Sequence, residues 1–281
     1  MDARTFLGIE ATHERLRWRL PVTPSVSTPG RFLYGGCGLA AGLVALEAAS
    51  GRPTVWATAQ YLTYAPTGSV VDWEVVLAAT GKSVTQARVT GRSGGREVLT
   101  VNAALGHGGL ELAGTWVSPP DVPGPDDCPI LEVPSQFAES VLHRVDHRVA
   151  RGTMFASNVD APGDGSSAFW ARLPGHLEPS AATLAVIGDY VSNGVSHHAG
   201  VRLMGRSLDN TIRVAKLVRT EWLLCDIRMH ALADGFAQGL AHLWAEDGSL
   251  LATASQTVSL RPWPEDLVLD RIRIANDDRE G

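Results

Sequence analysis

The chain carries one order of elements twice, a small-residue helix followed by four strand-like runs, and a duplication of that kind leaves few architectures open. The first copy opens on an apolar helix over 34–46, beginning Tyr34-Gly35-Gly36-Cys37, and continues through runs at 54–64, 70–79, 83–91 and 97–105. The second opens on a helix over 182–193 and continues through 210–217, 222–230, 236–244 and 250–260. Turn residues correspond as well. Gly81 precedes the third run as Gly235 precedes its counterpart, and Gly95 matches Gly248 ahead of each last run. Glycine at such points supplies the positive φ that hairpin reversals need. Between the copies lies a stretch with Pro119, Pro120, Pro123, Pro125 and Pro129, which can continue neither a helix nor a central strand. The expected organisation is an N-terminal unit over 1–117, a linker over 118–134, a C-terminal unit over 135–265 and a charged, flexible tail over 266–281.

Strand runs that follow a single helix favour an antiparallel sheet wrapped on that helix, because a parallel sheet would need alternating β and α units. Both helices are rich in Ala, Gly, Leu and Val around most of their circumference, as an enclosed helix must be. The expected class is therefore α+β, with two antiparallel sheets, each wrapped on a long helix, joined edge to edge: a hotdog fold in tandem. A hydrophobic fraction of 44% leaves enough apolar material for a shared core.

Charge and cysteine usage exclude other classes. A net charge of -6 offers no basic face to a nucleic-acid backbone, although Arg202, Arg206, Arg213, Lys216 and Arg219 form a local cluster. No run is long and apolar enough to cross a bilayer, and the start Met1-Asp2-Ala3-Arg4 lacks a basic end followed by an apolar stretch, so a cytoplasmic location is expected. Cys37, Cys128 and Cys225 have no metal-ligand spacing and are expected to be reduced, with no metal and no cofactor. Gly81-Lys82-Ser83 imitates the end of a phosphate loop, but Val76 stands where that loop needs glycine. His197 and His198 are adjacent, point to different sides and read as a helix end.

The copies differ where the second acquires polar groups. Asp189 within Ala185-Val186-Ile187-Gly188-Asp189-Tyr190, the run Ser207-Leu208-Asp209-Asn210, Trp222-Leu223-Leu224, the glycines Gly235 and Gly239, and Asp247-Gly248-Ser249-Leu250-Leu251-Ala252 ahead of Gln256 resemble, in order and spacing, the type II acyl-CoA thioesterases. The resemblance covers about 34–261 and is strongest after Leu184. It implies a double hotdog hydrolase of fatty acid metabolism in which Asp189, Ser207 and Gln256 hold a water against the thioester. It also implies possible association into a homodimer or higher homo-oligomer. The first copy, with Ala57 near the position of Ser207 and Ala103 near that of Gln256, lacks the set and would complete the sheet and shape a binding wall. The chain departs from the family in having Asn210 in place of a usual histidine, Arg213, Val214 and Ala215 in place of aromatic and histidine residues, and Thr257 after the glutamine. These changes bear on substrate choice more than on chemistry.

The residue types suit the reaction. Hydrolysis needs an attacking water and a group to take its proton, and a carboxylate flanked by a hydroxyl and an amide supplies both positioning and basicity. Asp189 is read as the base, inside an otherwise apolar helix. Taken singly, Asp189 reads as a helix residue facing solvent or bonded to a neighbouring backbone amide, Ser207 as the start of a strand and Gln256 as an exposed strand residue; their order in one chain is what favours a site. Arg202, Arg206, Arg213 and Lys216 are candidates for the phosphates of coenzyme A, and a solvated strand face is the other reading. Gly35 and Gly36 would let backbone approach substrate, or pack helix to sheet. The expected activity is hydrolysis of acyl-CoA to free acid and coenzyme A. The alternatives are a non-catalytic acyl-CoA or acyl-lipid binding protein and a thioesterase for carrier-bound or polyketide thioesters.

Overall fold

The computed structural model describes residues 2–154, 162–174, 178–263 and 273–274. Helix α1 (Ala3–Leu7) and strands β1 (Glu10–Ala11) and β2 (Arg17–Pro21) lead to α2 (Gly35–Ser50), which is followed by β3 (Thr54–Tyr61), β4 (Val70–Thr80), β5 (Val84–Ser93) and β6 (Arg96–Gly106). The second half contains β7 (Leu131–Glu132), β8 (Asp146–Arg151), β9 (Ser166–Arg172), α3 (Ala181–Gly188), α4 (Val195–Ala199), β10 (Leu203–Ser207) and β11 (Asp209–Val214). It ends with β12 (Leu223–Ala233), β13 (Phe236–Ala245), β14 (Leu250–Pro262) and β15 (Arg273–Ile274). The tail expected over 266–281 lies outside the described residues except at Arg273–Ile274, which pair with Leu131–Glu132.

Among the described residues thirteen strands form one antiparallel sheet, in the order β1-β2-β4-β5-β6-β3-β11-β14-β13-β12-β9-β8, with β10 also paired to β14. Read outward from the β3–β11 junction, the two halves repeat each other, which is the tandem hotdog expected from the duplication. Five residue pairs join them, from Asp209↔Gln60 to Arg213↔Trp56. At the centre of this ladder the Thr58 and Thr211 hydroxyls are 2.7 Å apart. The pseudo-twofold through that pair relates Ala57 to Asn210, and the neighbouring ladders relate Ala103 to Gln256. Ala57 is therefore the counterpart of Asn210, not of Ser207.

Helix α2 is buried on nearly every side and packs against α3, with the curled sheet enclosing both. Close packing explains its glycines. A Cβ on Gly36 would lie 2.9 Å from the Ala185 carbonyl oxygen, so the backbones of α2 and α3 meet there with no room for a side chain. Helix α3 starts at a capping box formed by Ser180 and Thr183. The helix expected over 182–193 stops at Gly188, and the chain tightens into a 3₁₀ turn over Asp189–Gly194 before α4. Asp189 thus caps the end of α3 and opens the 3₁₀ segment, so it does not sit inside an α-helix. The cause is tertiary: Gly188 lies so close to β14 that a Cβ would be 2.9 Å from Ala254 Cβ, and three groups outside the helix bind the Asp189 carboxylate.

The Pro-rich stretch is laid against the outer face of the second half. Pro123 O accepts a bond from Trp170 Nε1 at 2.9 Å, and Pro129 O accepts one from Val149 N at 2.9 Å. Cys128 joins Trp170, Trp222, Leu224 and Trp244 in a small second core there. Cys37, Cys128 and Cys225 are free and buried. Among the described residues no helix is long and apolar enough to cross a membrane.

Candidate active site

Three elements of the second half and the first turn of α2 converge on one carboxylate. Alternation along β11 points Asn210 and Ile212 inward, alternation along β14 points Gln256 inward, and the end of α3 brings Asp189 to meet them. Asp189 is 6% exposed, Asn210 0% and Gln256 2%. The Gly36 N–H donates to Asp189 Oδ2 at 2.7 Å, Asn210 Nδ2 donates to Oδ1 at 3.0 Å, and Gln256 Nε2 donates to the same Oδ1. Gln256 Nε2 also lies 3.0 Å from Ser207 Oγ. The structure therefore brings Asp189, Ser207 and Gln256 into one hydrogen-bonded group.

Burial pushes the Asp189 carboxyl up to about 7, against the three donors from Gly36, Asn210 and Gln256, which favour the ionised form. The N-terminus of the sixteen-residue α2 faces the carboxylate and acts in the same direction as those donors. Burial, with the Asp189 charge second or third in effect, raises Tyr34, Tyr61 and Tyr190 well above the usual phenol range, so all three stay neutral.

A cavity of about 210 Å³ opens beside Asp189 and has two characters. Asp189, Ser192, Asn193, Arg206 and Ser207 line one part, and Leu33, Gly38, Val98 and Leu99, between α2 and β6, line another. The Phe32 and Tyr64 rings meet at a tilt of 51° with 4.5 Å between centroids, and the Arg206 guanidinium lies 5.4 Å from the Tyr64 ring centre.

The expected basic cluster is not assembled here. Arg206 lines the cavity, whereas Arg202, Arg213 and Lys216 do not. Arg213 is exposed on the face of β11 opposite to Asn210, because one residue of a strand turns the side chain over. Gly35 lines the cavity, while Gly36 acts through its amide on Asp189. Two participants escaped the sequence reading. Asn210 was visible only as a departure from the family pattern; its signal was a polar residue on the inward phase of an alternating strand. Tyr61, at the end of β3 in the first half, lines the cavity with its hydroxyl buried, and nothing in its sequence surroundings marks it.

Comparison with known proteins finds matches for both halves of the chain. Residues 22–106 match the acyl-CoA thioesterase N-terminal domain family and residues 125–260 match the acyl-CoA thioesterase C-terminal domain family. A candidate thioesterase from Novosphingobium aromaticivorans of known structure is 31% identical, with 89% of this chain and 98% of that one covered at a TM-score of 0.80. The tesB protein of Mycobacterium avium subspecies paratuberculosis shares the fold at 19% identity, covering 92% of this chain and 98% of that one with a TM-score of 0.76. An acyl-CoA thioesterase II from Mycobacterium marinum does so at 19% identity, covering 94% and 99% with a TM-score of 0.71. No curated protein matches the sequence. Taken with the tandem hotdog and the carboxylate held between its halves, these matches place the chain in the acyl-CoA thioesterase family.

Proposed function

We propose that this protein hydrolyses fatty acyl-CoA to free acid and coenzyme A by direct attack of a water held by Asp189, Ser207 and Gln256. The observation that carries this reading is the buried Asp189 carboxylate, fixed by Gly36, Asn210 and Gln256 beside a cavity that is polar at one part and apolar at another. A base whose pKa lies near the working pH is the most effective at taking a proton in the transition state, and burial tunes Asp189 to about 7. Asp189 accepts a proton as the water oxygen bonds to the thioester carbon. The tetrahedral intermediate then expels the thiolate, and the proton held on Asp189 passes to it. Gln256 stands between Ser207 Oγ and Asp189 Oδ1 and so orients both against the water. Gln256 Oε1 and Asn210 Oδ1, buried and without a hydrogen-bond partner among the described residues, are further acceptors on the same group. The apolar part, between α2 and β6, suits an acyl chain, and Arg206 at the polar part suits the anionic carrier.

Thiol release from a series of short to long acyl-CoAs, measured beside folded Asp189→Asn and Gln256→Ala proteins, tests the assignment. The expected result is turnover by the parent protein, a fall of roughly 10² to 10⁴ in Asp189→Asn and a smaller fall in Gln256→Ala. Turnover unaffected by either substitution would mean that the site is elsewhere. Binding without turnover would make the protein an acyl-CoA carrier, and faster release from an acylated carrier protein would change the substrate.

A further inference from the structure

We propose that the Tyr61 hydroxyl is a catalytic group that donates a hydrogen bond to the thioester carbonyl oxygen as negative charge develops on it. This inference rests on the hydrolytic reading of the Asp189 site and adds a participant from the other half of the molecule.

Alternation along β3 sends Ala57, Ala59 and Tyr61 toward the helices. Two small residues on that face are followed by one large polar ring. The Tyr61 main chain is fixed across the junction by its N–H, which donates to Leu208 O at 2.9 Å, one residue past Ser207. Its ring lies over Gly35. The Tyr61 hydroxyl and Asp189 Oδ2 are 3.0 and 2.8 Å from the point that a Cβ on Gly35 would occupy. A Cβ at position 35 would collide with both groups, so glycine there lets the phenol and the carboxylate close on the same point of the α2 main chain.

The hydroxyl is buried and, among the described residues, has no hydrogen-bonding partner of acceptable geometry; Asn210 is the amide beside it. A phenol deprived of both water and a partner costs about 1–3 kcal/mol, and such groups in native structures call for an explanation. Burial keeps the proton on Tyr61, so the group is a donor at any working pH. The Gly36 N–H is already engaged by Asp189. Tyr61 lines the cavity, and its buried O–H forms no well-aligned hydrogen bond among the described residues, with the Asn210 amide as its polar neighbour; a donor aimed at a developing oxyanion acts most strongly where water is excluded. When water attacks, the carbonyl π pair moves onto oxygen and accepts the Tyr61 O–H; on collapse the C–S bond breaks and the hydrogen bond weakens, with Tyr61 never giving up its proton.

Tyr61→Phe tests the proposal, since it removes one oxygen and keeps the ring. The expected result is a kcat lower by about 10² to 10³ with KM changed little and the pH midpoint of kcat unmoved. A kcat within twofold of the parent would overturn the proposal, as would a fall accompanied by a shifted midpoint, which would mean that Tyr61 acts through Asn210 on Asp189. Two coenzyme A derivatives keep the test independent of turnover. One is the ketone in which a methylene replaces the thioester sulfur, and the other is the S-alkyl thioether that has no carbonyl. Tyr61→Phe should weaken the ketone and leave the thioether unchanged; equal affinities of parent and variant for the ketone would overturn the contact. A parent protein that binds the ketone through Tyr61 but releases no thiol would retain the contact while removing the hydrolytic reading.

Discussion

Asp189 sets how this protein should respond to pH. Burial holds its carboxyl near 7 in the folded chain, above the value of about 4 for a free aspartate. The neighbouring phenols and Cys37 are pushed upward by burial and His147 down to about 4, so Asp189 is the group facing the cavity that titrates near neutrality. Catalysis needs the carboxylate, and kcat should fall tenfold per pH unit below about 7 and level off above it. Stability should run the other way. Because the folded pKa is raised, proton binding favours the folded state; this contribution is full below about pH 4 and lost as pH rises through about 7. Asp189→Asn removes that loss, since Gln256 and Asn210 can turn their unpartnered amide oxygens toward the new amide. The variant should turn over roughly 10² to 10⁴ more slowly yet be more stable than the parent at pH 8, by at most about 4 kcal/mol, with a smaller advantage at pH 5. Urea unfolding at the two pH values measures it; a variant less stable at pH 8 would show that the carboxylate is not strained by burial.

The elements explain both what the sequence disclosed and what it concealed. The runs that became β3 to β6 and β11 to β14 were legible because turn glycines and alternation recur in both copies. Strand β9 was not legible, since its first six residues are buried: helices cover one face and the Pro-rich stretch the other, which erases alternation. The break at Asp189 was hidden for a related reason, because groups on α2, β11 and β14 impose it. Those same contacts make Gly36 a sensitive position. In Gly36→Ala the new Cβ would stand 2.9 Å from the Ala185 carbonyl oxygen and 2.9 Å from Asp189 Cβ, and main chain cannot step aside. The expected cost is about 1–3 kcal/mol in urea unfolding, with a loss of kcat beyond what residual folding explains because the amide bond to Asp189 is displaced. Farther along α2, Gly38 faces Leu99, with 3.3 Å between its would-be Cβ and Leu99 Cδ1. If the acyl chain lies there, Leu99→Ala should move the preferred chain length upward and Gly38→Val downward, by about fourfold in kcat/KM per methylene. Thiol release across a chain-length series reads both shifts, and an unmoved optimum would place the acyl chain elsewhere.

At the scale of the whole molecule the duplication does not yield two independent domains. The halves share the β3–β11 ladder, the packing of α2 on α3, and bonds from Tyr34 Oη to Val186 O at 3.1 Å and from Arg144 Nη1 to Phe6 O at 2.9 Å. The candidate site is divided the same way, with Tyr61 and Gly36 from one half and Asp189, Ser207, Asn210 and Gln256 from the other. Sequence alone assigned the site to the second copy because a backbone amide and a lone tyrosine carry no pattern, whereas a polar residue at the counterpart of an alanine does. Covalent continuity between the halves should then matter little. Residues 107–119 are exposed along their length, and Trp116, at 94%, is the most exposed large hydrophobic side chain among the described residues. Brief chymotrypsin treatment should cut there first, after Leu110, Leu112 or Trp116. The two fragments should co-elute on size exclusion without denaturant and keep the parent kcat, because no residue of the candidate site lies in the severed segment and the β3–β11 ladder holds the halves together. They should separate only in denaturant, at a midpoint that rises with protein concentration, since unfolding has become a dissociation. Fragments that part under native conditions would mean that each half folds alone, and activity lost on cutting while they stay together would mean that the connecting segment itself holds the site in register.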